Sequence, residues 1–250
     1  MTIGCIGSSE GKGVVMDLYE WMKSVDWSPL WISLKTGIVA TVLAFFVGIY
    51  AAKKVMGMGK NTKAVLDGIL TLPLVLPPTV AGFFLLLLFS LKRPFGRFLL
   101  EHGGVKVVQT WQGCVIAAFV IAFPLMYRNA RAAFEQVDTT LIHAGRTLGL
   151  SERTIFWRIV IPTAAPGIAS GTVLAFARAI GEYGATSMLA GNILGKTRTV
   201  SIAIASEVAA GNWDIAAFWV VVIVILSFVM VTIINLLSGK GMKHVKKWMM

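Results

Sequence analysis

Apolar residues in this chain gather into long unbroken runs divided by short polar stretches, instead of recurring at the spacing of a helix that faces a soluble core. A helix needs roughly 20 residues to cross the hydrocarbon layer. Five runs reach that length: Leu30–Ala52, Val65–Leu91, Val107–Tyr127, Gly167–Ala190 and Ile215–Leu237. Lipid offers no partner to an unpaired backbone group, so each run is predicted helical. The short alternating strands of a membrane barrel do not occur in this pattern. The predicted class is an all-α polytopic membrane protein with five transmembrane helices. Its expected divisions are an N-terminal extracytoplasmic or interfacial segment (1–29), a transmembrane domain (30–237) and a basic cytoplasmic tail (238–250).

The polar stretches carry their own patterns. Residues 1–29 lack the apolar core behind a basic start that a cleavable signal peptide would show. Met16–Trp27 mixes Leu18, Tyr19, Trp21 and Met22 with Asp17, Glu20, Lys23 and Asp26. That mixture fits a short helix in the membrane interface or a frayed polar lead-in. The longest polar stretch, 128–166, reads as helix–turn–helix. Asp138 and Thr139 can cap a short helix over Leu141–Leu148, Gly149 suits the left-handed position that ends it, and Ser151 can cap a second helix. Ile155, Phe156, Ile159 and Val160 then share one apolar face, and Pro162 and Pro166 are expected to break the chain before the next span. By composition this knob suits an amphipathic loop on lipid headgroups as well as a docking surface.

Composition reinforces the membrane assignment: 56% of residues are hydrophobic, 14% are charged, and mean hydropathy is +0.77. Charge then orients the chain. One side collects thirteen basic residues, namely Lys53, Lys54, Lys60, Lys63, Arg128, Arg131, Arg146, Arg153, Arg158, Lys240, Lys243, Lys246 and Lys247. The other collects eight, with the acidic N-terminal segment. The richer side is expected to be cytoplasmic, with the N-terminus outside and the C-terminus in the cytoplasm. The net charge of +11 follows from that topology and implies no nucleic acid. Cys5 and Cys114 form neither a disulfide framework nor a metal motif.

His143-Ala144-Gly145, three residues, Gly149, nine residues, then Ile159-Val160-Ile161-Pro162 resembles the loop signature of permease subunits of binding-protein-dependent ABC importers. That signature is Glu-Ala-Ala, three residues, Gly, nine residues, Ile-x-Leu-Pro. The spacing is intact, and His143, Gly145 and Ile161 depart from it. Leu72-Pro73-Leu74-Val75-Leu76-Pro77-Pro78, Ala177–Ala185 and Ala190-Gly191-Asn192-Ile193 are similar to segments of the molybdate and sulfate branch, and the likeness runs from about Pro29 to Asn212. The resemblance implies the type I ABC importer transmembrane fold. It also implies a second permease copy, two ATPase subunits that hold ATP and Mg²⁺, an external oxyanion-binding protein, and no cofactor or catalytic site in this chain. The loop would be the coupling helix seated on the ATPase, through Leu141, His143, Ala144, Arg146, Thr147, Leu148, Gly149, Leu150, Ser151 and Glu152.

Polar groups inside the spans mark the candidate pathway. Arg178 and Glu182, four residues apart, fall on one face of the fourth span, either as a packing ion pair or beside the route of an oxyanion. Gly181 and Gly184 flank Glu182 and are expected to permit close helix approach. Pro77, Pro78 and Thr79 suit a gate or pathway wall, or a packing kink. Lys35 is expected to snorkel outward. Ala190–Thr197 fits a relaxed phosphate-loop pattern, but that loop needs a strand before it and a helix after it.

These residues predict a permease moving a tetrahedral oxyanion, molybdate first, with sulfate, thiosulfate and tungstate as close rivals. A secondary transporter predicts inverted repeats and more buried ionisable groups than Arg178 and Glu182. A membrane enzyme requires a convergent catalytic set, which the scattered His102, His143 and His244 do not supply.

Overall fold

The computed structural model describes residues 25–246, with side chains as far as 232. The stretch 16–24, Cys5 and Lys247 lie outside those residues. The first helix, α1 (Ser28–Met56), opens with Pro29 in its first turn, carries Lys53 and Lys54 in its last, and stops at Gly57. The expected second span is two helices, α2 (Lys60–Val75) and α3 (Pro78–Phe89), meeting at 109°. Proline chemistry explains the break. Pro77 drives Leu76 out of the helical region to ψ 141°, Pro78 does the same to Pro77, and Pro78 then sits at the start of α3, where its missing N–H is not needed.

A short helix, α4 (Pro94–Gly103), leads to α5 (Trp111–Glu135), the centre of the molecule. Small residues on α1 and α5 bring the backbones together: Ala40, Ala44, Ala118, Ala122 and Ala130 are buried. A Cβ added at Gly48 would lie 2.9 Å from Met126 Cγ. Association by small residues is the membrane solution, because lipid gives helices no hydrophobic reason to meet.

Beyond α5 come α6 (Thr139–Thr147) and α7 (Glu152–Ile155). A five-residue π segment (Phe156–Val160) then runs directly into α8 (Ile161–Ile180). The expected break at Pro162 and Pro166 is therefore absent, and Glu152–Ile180 is one apolar rod long enough to span. At Pro162 the π turn is the reason, whereas Pro166 is carried inside α8. The Ile161 N–H bonds the Phe156 carbonyl, five residues back, and the widened turn makes room for the Pro162 ring.

The fourth span accordingly ends at Ile180, earlier than expected. It is followed by α9 (Gly184–Leu189), α10 (Val200–Ala209) and α11 (Trp213–Lys246), which is largely exposed over 213–232 and runs past the boundary expected at 237. Trp219 fastens α11 to Val200 and Ala203.

The two ends of the bundle carry different polar contacts. At one end Lys53 lies 3.7 Å over the Phe156 ring and Lys63 pairs with Glu135 at 2.8 Å. At the other, Lys35 lies 4.1 Å over Trp111, whose indole N–H donates to Thr36, and the Val200 N–H donates to Ser33.

Candidate functional site

The knob at 138–160 follows from local rules. The Asp138 carboxylate accepts from the Thr140 N–H at 2.8 Å and starts α6, and that bond holds the carboxyl below its ordinary range. At the other end Gly149 has φ +73°. Its N–H bonds the Arg146 carbonyl at 2.9 Å, while the Leu150 N–H reaches Gly145 at 3.1 Å. These are the two bonds of a Schellman stop, which needs a left-handed residue. The Ser151 hydroxyl accepts from the Thr154 N–H at 3.2 Å and starts α7. Arg146 clamps the pair of helices with bonds of 2.6 and 3.3 Å to Glu152.

One face of the knob is anchored. Ile155 is buried, and a Cβ on Gly145 would lie 3.1 Å from both Ile155 Cγ1 and Ile159 Cδ1. Phe156 packs edge-on against Phe134 of α5 at 5.7 Å. The other face is open. Leu141, His143, Ala144, Arg146, Thr147, Leu148, Gly149, Leu150, Ser151 and Glu152 are all exposed, while Ile142 and Gly145 between them turn inward. Leu148, 78% exposed, caps the tip with an apolar side chain. A rigid knob presenting apolar and charged groups, and continuous with a spanning rod, can receive a push and pass it on.

The intramembrane candidates converge elsewhere. A Cβ on Gly184 would lie 3.1 Å from Pro78 Cβ and from the Thr79 nitrogen, and one on Gly82 would lie 2.6 Å from Ala185 Cα. The helix break and the segment after α8 are thus in backbone contact. Gly184 makes that approach; Gly181 does not, because a Cβ there would meet only the Ala177 carbonyl, at 3.4 Å. Glu182 is buried just past the end of α8 rather than within it. Its Oε1 accepts from the Ala185 N–H at 2.7 Å, tying the start of α9, and its Oε2 lies 3.0 Å from Arg178 Nη1 without an aligned N–H. Pro77 and Thr79 are exposed, and Pro78 and Arg178 are half-buried.

Sequence reasoning missed a network at the knob end. Asp67 of α2 accepts from the Tyr127 hydroxyl at 2.8 Å and pairs with Arg131, and Arg131 also bonds Glu135 at 3.0 Å. Asp67 is a further ionisable residue inside an expected span, and a carboxylate there should have prompted a search for its cation. The phosphate-loop look-alike is a self-bonded turn. Thr197 is buried, its hydroxyl accepts from the Ile193 N–H at 3.0 Å and donates to the Gly191 carbonyl at 3.2 Å, and α9 rather than a strand precedes it.

Comparison with known proteins agrees with this geometry. Residues 44–244 match the family model of the binding-protein-dependent transport system inner membrane component. The molybdenum transport system permease protein ModB of Escherichia coli K12 is 42% identical over 175 residues, covering 70% of this chain and 76% of that protein. A putative molybdenum transport system permease protein, YvgM of Bacillus subtilis, is 38% identical over 208 residues, covering 83% and 92%. A probable sulfate transport system permease protein, cysT of Chlorokybus atmophyticus, is 31% identical over 215 residues, covering 86% and 75%. Among solved structures, a bacterial ABC transporter involved in the import of the acidic polysaccharide alginate aligns with a TM-score of 0.75 at 15% identity, covering 90% of this chain and 83% of that chain. At that identity the likeness speaks for the fold alone.

Proposed function

Because the chain belongs to the family of binding-protein-dependent transport system inner membrane components, we propose that it is the permease of an ATP-driven molybdate importer, coupled through the knob at 138–152. Two copies form the pathway and two ATPase subunits hold ATP and Mg²⁺. An external protein delivers the anion, and this chain performs no hydrolysis itself. The knob faces the cytoplasm, with the N-terminus outside, in keeping with the basic residues gathered at its end of the bundle.

The observation that carries the reading is the continuity of Glu152–Ile180 with a knob whose predicted contact residues are all exposed. Closure of two ATPases displaces the knobs, each knob moves its rod, and the rod ends at Ile180, just ahead of Glu182, which pairs with Arg178, and of Gly184, which meets Pro78. A two-state change at the ATPase thereby reaches the membrane interior through packed elements. Molybdate over sulfate follows from the higher identity to the molybdenum permeases.

Co-purification with the ATPase, and hydrolysis measured with and without Gly149→Asp, test the coupling. Weaker association and lower turnover are expected from the negative charge placed at the exposed tip, and an unaltered complex with unaltered turnover would overturn the assignment. Stimulation of hydrolysis by the binding protein loaded with molybdate, tungstate or sulfate tests the substrate. Uptake at full rate by Arg178→Ala would remove that residue from the pathway.

A further inference from the structure

The side of the bundle formed by α1 and α8 is not evenly packed. Near one end the two helices touch closely, since a Cβ on Gly37 would lie 2.7 Å from Ile180 Cγ1. Farther along, α1 leans onto α5 instead, with Gly48 against Met126 and Tyr127. The helices therefore diverge, and a groove of about 680 Å³ opens between them, walled by Phe45, Phe46, Ile49, Ile168 and Ala169 and floored at its mouth by Phe156.

The groove opens on the surface of the chain, along helices long and apolar enough to span. Phe46 and Tyr50 stand 66% and 62% exposed on its rim. Lys53 lines the mouth, its ammonium 3.7 Å over Phe156; exposed Lys54 lies beside it, 5.7 Å from the Tyr50 ring on the rim, and no carboxylate lines the groove among the described residues. An apolar trough with a cationic mouth, at the level where α1 leaves the membrane, has the chemistry of an acyl chain below an anionic phosphate.

We propose that this groove binds one anionic phospholipid, its acyl chain along Phe45–Ile49 and Ala169 and its phosphate at Lys53 and Lys54. The assignment to the cytoplasmic leaflet rests on the orientation proposed above; the groove itself does not. Phe156 and Trp157 belong to the π turn between the knob and α8, so the occupant braces α1 against the segment that links the coupling surface to the rod.

The assembled transporter in nanodiscs of zwitterionic lipid, doped with phosphatidylglycerol carrying a photoactivatable acyl chain, supplies the test. Adducts are expected to concentrate on 45–53 and 156–172, above the level on the exposed wall of α11. Unlabelled phosphatidylglycerol should suppress them, phosphatidylcholine should do so poorly, and inorganic phosphate should not. Lys53→Gln should cut labelling about fivefold. Ala169→Phe should abolish it while the ATPase complex still elutes intact. Labelling no higher than on α11, equal competition by phosphatidylcholine, or displacement by phosphate alone would overturn the proposal. So would a cross-link from Ala169→Cys to a second copy, which would show that protein fills the groove.

Discussion

The knob and the membrane junction solve the same problem, holding short helices in fixed relation, by opposite means. In the knob, each contact is local: Asp138 to Thr140, Gly149 to Arg146, Ser151 to Thr154, Arg146 to Glu152. At the junction, the partners are distant in sequence: Gly82 against Ala185 and Gly184 against Pro78; Asp67 against Arg131, nearer the knob end, is a long-range pair of the same kind. Water and side-chain caps satisfy the knob's helix ends. The junction instead relies on close backbone approach between distant segments. A local device tolerates small changes one at a time, whereas a long-range contact fails when either side grows.

The sharpest test is Gly82→Val. Its Cβ would lie 2.6 Å from Ala185 Cα, a backbone atom that cannot rotate away. Overpacking of this kind costs about 3 kcal/mol, and the variant should lose uptake and melt well below wild type in detergent. A wild-type melting temperature would show that the junction is looser than its geometry. Next is Arg131→Ala, which leaves Asp67 with only Tyr127. Removing a charge-assisted partner at a part-buried site costs about 2 kcal/mol, and a double-mutant cycle with Asp67→Asn should recover much of it. If the two changes simply add, Asp67 and Arg131 do not hold α2 to α5.

Those long-range partners are also where the sequence was least legible. The knob could be read almost residue by residue, because capping and left-handed stops are written in neighbouring positions, and Asp138, Gly149 and Ser151 stand where their chemistry places them. The apolar runs gave the spans, because length alone decides crossing. Several boundaries differ from expectation, two of them at prolines. Pro77-Pro78 does more than kink a helix, since two successive prolines extend two successive residues. Pro162 does less than expected, because a π turn absorbs it, and no local rule announces a π turn. The four-residue spacing sets Glu182 beside Arg178, as an ion pair or along an anion route, but its bond to the Ala185 N–H depends on where α8 stops.

Gly149 separates backbone strain from side-chain contact within the knob. At φ +73° a β-branched residue pays about 1–2 kcal/mol, whereas Asn is tolerated. Gly149→Val should therefore weaken binding of detached ATPase about tenfold with the spans melting as in wild type, and Gly149→Asn should recover most of the affinity. Equal loss in both variants would mean that the ATPase touches Gly149 directly and that a side chain of any kind is refused.

Gly145→Ala should have the smallest effect, and it asks how local the knob really is. Gly145 stands where the family signature has alanine, in the last turn of α6, where glycine costs up to about 1 kcal/mol of helix stability relative to alanine. Against that gain, the new methyl would sit 3.1 Å from Ile155 Cγ1 and Ile159 Cδ1. Both are side-chain atoms able to move by a few tenths of an ångström, unlike the backbone that opposes Gly82. The two effects should nearly cancel, leaving ATPase binding and turnover within about twofold of wild type. Gly145→Val adds bulk that the same isoleucines cannot absorb, and should uncouple hydrolysis from uptake. If alanine alone uncouples the transporter, the seat of α6 on α7 is as intolerant as the Gly82 contact, and the division between a forgiving knob and an unforgiving junction fails at this residue.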